Sequence, residues 1–314
     1  MRKLNLHGIT GVCGISTAYK QTAKAIKSVC NVSNAETYDD FYVHGLPRAT
    51  RNLTHISKFL DGNNIAYWMW ESSELAFDFA EHSTYYSEIW TASNYCKSIF
   101  DSLGKPVKLV PHCVTNYKYN PKAVNDVPVI LVAFNCDSRV SRKNPFFAIE
   151  ALNKLSESID FKVKFKVSNS KSSLLSCFKE QAENLDCEWI THKLKRKALL
   201  SLYSDCDILF SPHKSEGFGL HMLEMMAMGK KIVATGYSGN MDFCNDENSY
   251  LIDYKLDEVD DEFYLGEWAY PKLDSAVDCL KAACKDGETK NFNGFNTALN
   301  FSSANLIKHT LKAL

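Results

Sequence analysis

"CDILFSPHKSEGFGLHMLEMMAMGKK" runs from Cys206 to Lys231 and reads as strand, loop and helix. Ile208–Phe210 is a short apolar run bounded by polar and turn residues, the pattern of a buried strand. Gly217 and Gly219 permit a tight turn and a close approach of backbone to a ligand. The helix is expected to start near Gly219 or Leu220 and to stop at Gly229, a natural C-terminal cap. Leu220, Leu223, Ala227 and Met228 then fall on one side, and Glu224 lies four residues from both Leu220 and Met228. A carboxylate beside a buried stripe is costly unless hydrogen-bonded, and ligand hydroxyls are one way to satisfy it. The free amides at the helix start suit an anion such as a phosphate. Glu216, just ahead of the helix, is expected deeper in a ligand cleft. Spacing alone also admits a plainer reading, in which Glu224 bonds a neighbouring backbone and Glu216 is a solvated loop residue.

The same alternation continues on both sides. Downstream stands the strand "KIVAT" (231–235). Upstream, "VPVILVAFN" (127–135) is a near-continuous apolar run, as expected of a strand buried on both faces. The helix "NPFFAIEALNKL" and the strands "FKVKFKV" and "CEWI" follow it. The first third repeats the theme: "KLNLHGITGVCGIS" is a strand and a loop with Gly8, Gly11 and Gly14, before a helix "TAYKQTAKAIKSV". "NIAYWMW", "SEIWTAS" and "KPVKLVPHCV" read as further strands. Thr115–Asp126 is polar, with turn residues and no apolar period, and reads as a linker. Strands alternating with helices predict an α/β chain of two parallel-sheet domains, residues 1–118 and 119–295. A last helix, 296–314, is expected to pack back on the first domain. Ligands of open α/β sheets bind beyond the carboxyl ends of the strands, so the chemistry belongs on the loops after them.

Composition sets the outer bounds. The chain has 314 residues, 45% apolar and 23% charged, with a net charge of −1, which gives no global pull towards nucleic acid or anionic membrane. Eleven cysteines are scattered without a C-x-x-C pair, and "MRKLNLHG" has no leader pattern, so reduced thiols and a cytoplasmic location are expected. No apolar run approaches the roughly 18 residues that a membrane span needs. Lys20, Lys24 and Lys27 share one helix face, with Arg48 and Arg51 on a later loop. Such a set is usually a solvated face; the alternative is contact with phosphates of a lipid carrier or a nucleic acid. "KLKRKALLSLY" reads as a solvated turn, and His7, His44 and His112 read as structural.

Beyond these local readings, the stretch from Ser215 to Tyr254 resembles the E-x7-E signature of retaining nucleotide-sugar glycosyltransferases with the two-domain GT-B fold, family 4 in particular. "FNCDSRVSRKNPFFAIEAL" resembles that family's phosphate-binding strand, loop and helix. "NIAYWMWESSEL", "SEIWTASNYCKSIF" and "VKLVPHCV" are similar to the first domain of a subgroup carrying a Trp-Glu pair, and "GEWAYPKLDSAV" to its late Trp-Ala-x-Pro segment. The likeness covers most of residues 65–275 in patches. It implies two Rossmann-like domains facing across a cleft. Glu224 would hold the ribose hydroxyls and Glu216 the transferred sugar. Gly217, Phe218, Gly219 and Leu220 would lie along the diphosphate. Arg142 and Lys143 match the family's basic pair. Where many relatives carry an arginine this chain has Ser138, and Arg142 would compensate. The Gly8–Gly14 loop, with Gly11 and Gly14, would cover the diphosphate and the acceptor. Glu71 stands nearest the position where many relatives place a histidine, and a carboxylate there could orient or deprotonate the acceptor hydroxyl.

The expected function is a retaining glycosyltransferase acting from a nucleoside-diphosphate sugar, UDP or GDP being undecided. The acceptor class implied is a carbohydrate or a lipid-linked glycan; a hydroxylated base in DNA is the alternative. A nucleotide-sugar-binding protein without catalysis is the alternative from another class. "DCD" at Asp205–Asp207 fits a D-x-D metal pattern of a different glycosyltransferase fold. It precedes its strand, however, at the end away from the cleft. With no His/Cys cluster at ligand spacing, no metal or cofactor is expected.

Overall fold

The structure, a computed structural model, describes residues 3–8, 14–29, 31–32, 40–54, 57–115, 117, 119, 126–136, 140–168, 173–286 and 289–314. Six strands of the first part form one parallel sheet: β1 (Lys3–Gly8), β2 (Asn31–Val32), β3 (Asp40–His44), β4 (Ile65–Tyr67), β5 (Glu88–Thr91) and β6 (Val107–Leu109). Their order is β2-β1-β3-β4-β5-β6. Every residue of β3, β4 and β5 is buried, because helices cover both faces. The second part forms another parallel sheet from β7 (Val129–Asn135), β8 (Lys162–Ser168), β9 (Cys187–Ile190), β10 (Ile208–Ser211), β11 (Lys231–Thr235) and β12 (Tyr250–Ile252). Here the order is β12-β11-β10-β7-β8-β9. The strand order reverses between β1 and β3 in one sheet and between β7 and β10 in the other. Loops leaving the carboxyl ends of those strands therefore splay apart and leave a crevice in each domain.

Three strands escape a reading of periodicity. Asn31–Val32 pairs over two residues only, Asp40–His44 is bracketed by polar residues, and Tyr250–Ile252 is three residues long. A further departure is an antiparallel hairpin of β13 (Tyr254–Glu258) and β14 (Glu267–Pro271). It leaves the second domain and grips the first. Leu265 bridges to Glu74, the Glu267 amide donates to Ser73 Oγ (2.7 Å), and Trp268 Nε1 donates to the Glu71 carbonyl (2.7 Å). Trp268 itself is fully buried in the first domain's aromatic core with Trp68, Trp70 and Phe79.

Apolar packing also runs continuously between the domains. One buried cluster joins Tyr42, Tyr67 and Trp90 of the first sheet to Phe218, Met222 and Phe243 of the second domain. Chain termini add to this: the Val114 amide donates to the Phe301 carbonyl (2.8 Å), and the Lys108 ammonium reaches the carbonyl of Ala313. The helix Ser303–Ala313 thus lies on the first domain, against the helix Gly14–Val29. Asp207 sits at the amino end of β10, where its carboxylate accepts from the Val129 amide (2.9 Å). It ties two strands together on the side away from both crevices. Among the described residues no helix is long and apolar enough to cross a membrane.

Candidate active site

The switch point of the second sheet brings the two segments singled out in the sequence side by side. Beyond β7 the chain makes a short helical turn, Val140–Lys143, which carries Arg142 and Lys143. After β10 comes the loop to the helix Leu220–Met226. Gly219 adopts φ +87°, and a side chain there would strike Met222, so the turn needs glycine. A second close approach supports the loop from behind. A Cβ on Gly239 would stand 2.1 Å from the Gly217 carbonyl oxygen. The Gly239 amide donates to the Glu216 carbonyl (2.8 Å), and the Glu216 amide to Ser238 Oγ (2.8 Å).

Glu216 is buried and paired with both cations. The Lys143 ammonium bonds Oε1, and Arg142 Nη1 lies 3.5 Å from Oε2 while donating to the Ser215 carbonyl (2.7 Å). Burial works against ionisation of Glu216, but Lys143 and then Arg142 outweigh it and hold the carboxyl well below the usual carboxylate range. For Lys143, burial is the stronger influence and lowers the ammonium's pKa despite Glu216. Burial and Lys143 together push His221, on the first turn of the helix, down to about 3. It is a neutral imidazole beside the charged group.

Arg142 and Glu216 border a cavity of about 390 Å³ between the domains, and Lys143 stands behind Glu216 rather than in its wall. Glu216, Gly217, Phe218, Gly219, Leu220 and Arg142 form its second-domain wall. The first domain contributes Glu71, Trp70, Met69, Tyr67, His44 and His112. Glu71 accepts from the Tyr264 hydroxyl (3.1 Å) and lies 3.9 Å from Arg142 Nη2. Arg142 therefore stands between the two carboxylates, and their charges outweigh the effect of burial and raise its pKa. Phe263 and Tyr264 come from the hairpin, so three parts of the chain meet at one cavity. Sequence reasoning missed both aromatic residues, and it read as structural two histidines that line the wall. His44 stacks on Tyr67 (4.2 Å between ring centroids), and His112 meets Phe218 edge-on. Burial keeps both neutral, His112 at about 3.

Glu224 lies on the same helix, 3% exposed. Its side chain meets Arg196, whose Nη2 is 2.6 Å from Oε1. In the basic segment Lys193, Lys195 and Lys197 are exposed, as a solvated stretch requires, but Arg196 folds inward onto a buried acid. Gly11 and Ser138 lie outside the described residues. Gly14 opens the helix Gly14–Val29, and the next residue, Ile15, lines the cavity. Lys20, Lys24, Lys27 and Arg51 are exposed and away from the cavity wall; the side chain of Arg48 lies outside the description.

Two Rossmann-like parallel-sheet domains, with the switch-point loops of both bordering one cavity, define the GT-B architecture. Residues 130–260 match the family described as "Glycosyl transferases group 1". Solved structures agree over the whole chain. A glycosyltransferase from Rickettsia africae superposes with a TM-score of 0.71 at 14% identity, covering 99% of this chain and 97% of that one. Anabaena HepE, in its complex with UDP and glucose, gives 0.75 at 14% identity, with complete coverage of both chains. Sucrose-phosphate synthase from Thermosynechococcus elongatus gives 0.73 at 12% identity, covering 100% of this chain and 98% of that one. Such identities speak for the fold, and the family match supports a glycosyltransferase built on it. Curated proteins yield no sequence match.

Proposed function

We propose that this chain is a retaining glycosyltransferase that moves a sugar from a nucleoside diphosphate to the hydroxyl of a carbohydrate or lipid-linked acceptor. One observation carries the reading. Arg142 and Glu216 converge beside the Gly217–Leu220 loop at the switch point of the second sheet, facing Glu71 across the cavity, and Lys143 is paired with Glu216 next to its wall. Breaking a sugar–phosphate bond leaves a diphosphate that gains negative charge, and fixed cations in a site shielded from water stabilise that charge strongly. Lys143 and Arg142 are such cations. On this reading Glu216 releases Lys143 to the phosphate and takes sugar hydroxyls in exchange, while Glu224 holds the ribose.

Retention rests on the resemblance of the E-x7-E stretch and on one electrostatic argument. Glu216 is held ionised by two cations, and Glu71 is held by Arg142 and Tyr264. Held below the usual carboxylate range, Glu216 is a weak base. In our reading the departing diphosphate takes the acceptor's proton on the face it leaves, and Glu71 orients the hydroxyl. UDP is the first nucleotide to try, because the complex of HepE holds it. Incubation with UDP-sugars and a panel of glycan acceptors, followed by proton NMR, tests the proposal. The expected product keeps the donor's anomeric configuration. An inverted product would overturn the retaining mechanism, and UDP binding unchanged by Glu224→Ala would reject the ribose role.

A further inference from the structure

We propose that Arg196 is the positioning residue of the ribose site: it covers Glu224 in the free protein and keeps that carboxylate ready to accept both hydroxyls of a ribose diol. The inference rests on Glu224 being the ribose ligand, and it adds a residue from a different element. Arg196 opens the helix Arg196–Ser204, and its side chain is 36% exposed, against 3% for Glu224. It therefore lies over the acid from the solvent side. The contact is close but not aligned as a hydrogen bond: both Oε1 of Glu224 and Nη2 of Arg196 are buried without a hydrogen-bonding partner. An acid and a base so placed retain capacity for a ligand, since a carboxylate offers about four acceptor positions and a guanidinium five donors.

A buried carboxylate is useful to a diol only while ionised. Two O–H donors need two acceptor oxygens, and protonation converts one of those into a donor. Burial raises the pKa of Glu224, and Arg196 opposes that rise. The other titratable groups facing Glu224 are Tyr203, from the helix of Arg196, and Cys113, from the end of the first domain. Burial raises the pKa of both, so neither supplies a countercharge. Among the described residues Arg196 is thus the cation that acts on this acid. Diol binding needs the ionised form, so affinity falls as pH drops through the pKa of Glu224. Removing Arg196 moves that fall to higher pH.

The test is calorimetric titration with UDP and with 2′-deoxy-UDP between about pH 5 and pH 8, on the whole chain and on Arg196→Gln, Arg196→Lys and Glu224→Gln. Arg196→Gln is expected to weaken UDP at neutral pH on the order of 10-fold, the scale of residues that orient a ligand-binding group. Its acid loss of affinity should begin at higher pH than in the parent. Arg196→Lys should restore most of both, and 2′-deoxy-UDP should bind weakly and ignore Arg196→Gln. If Arg196→Gln binds UDP like the parent, or more tightly, while Glu224→Gln is weakened, the inference is wrong and the ribose reading stands. If Arg196→Gln weakens both nucleotides equally at every pH, Arg196 is merely structural. If Glu224→Gln also binds like the parent, the ribose reading itself has failed.

Discussion

Lys143 is held beside Glu216 by a pairing that a diphosphate would have to displace. Its ammonium is largely buried, so losing Glu216 without a replacement anion would strand a charge away from water. That exchange gives a direct expectation. Lys143→Met should reduce turnover on the order of 10²-fold to 10³-fold, the cost typical of removing one group that stabilises transition-state charge. UDP affinity, measured on the same variant, should change much less; equal losses in both would assign Lys143 to ground-state binding. Gly239 makes a second residue-scale prediction. Because a methyl there would overlap the Gly217 carbonyl, Gly239→Ala should displace the loop and depress UDP affinity, read by titration. Unchanged affinity would mean that the loop shifts freely. Glu216 and Glu224 were legible in the sequence because a glycine turn and an apolar helix frame them. Arg196 was not, since a lysine-rich helix start looks solvated until tertiary packing brings a buried acid beneath it.

The hairpin of β13 and β14 is the element whose role depends most on tertiary contact. It belongs to the second domain by sequence, yet Trp268 fills the core of the first. Trp268→Ala should therefore cost about 3–5 kcal/mol, the range for emptying a buried aromatic position. Denaturant unfolding followed by circular dichroism would measure it, and a loss below about 1 kcal/mol would show that the hairpin is not an anchor. Hairpin tip residues Phe263 and Tyr264 also reach the cavity, so the same variant should disturb the partner of Glu71. Nothing in Val259–Gly266 announces this: the segment mixes acids with aromatics, and its position is fixed by bonds to Ser72, Ser73 and Glu74 far away in the chain. The parallel strands were easier, because burial on both faces writes runs such as Val129–Phe134 into the sequence.

Across the whole molecule the two domains share apolar packing, the hairpin grip and the returning C-terminal helix. Ser93 Oγ even donates to the Gly217 carbonyl (2.6 Å), and Asp242 accepts from the Asn94 amide (2.9 Å), which fastens the loop around Gly217 to the first domain. Calorimetric melting should accordingly show one cooperative transition. Two resolved transitions would mean that the domains unfold independently. Two domains were legible from the alternation of strands and helices; how firmly they are joined was not, because that depends on contacts between distant segments. On our proposal this joined cleft breaks a sugar–diphosphate bond with protein cations. The most direct test is release of nucleoside diphosphate from a panel of nucleotide sugars, without acceptor and in the presence of a chelator. Slow release is expected from at least one donor, undiminished by the chelator and strongly reduced in Lys143→Met. Tight nucleotide binding with no release from any donor, with or without added acceptors and divalent ions, would contradict it.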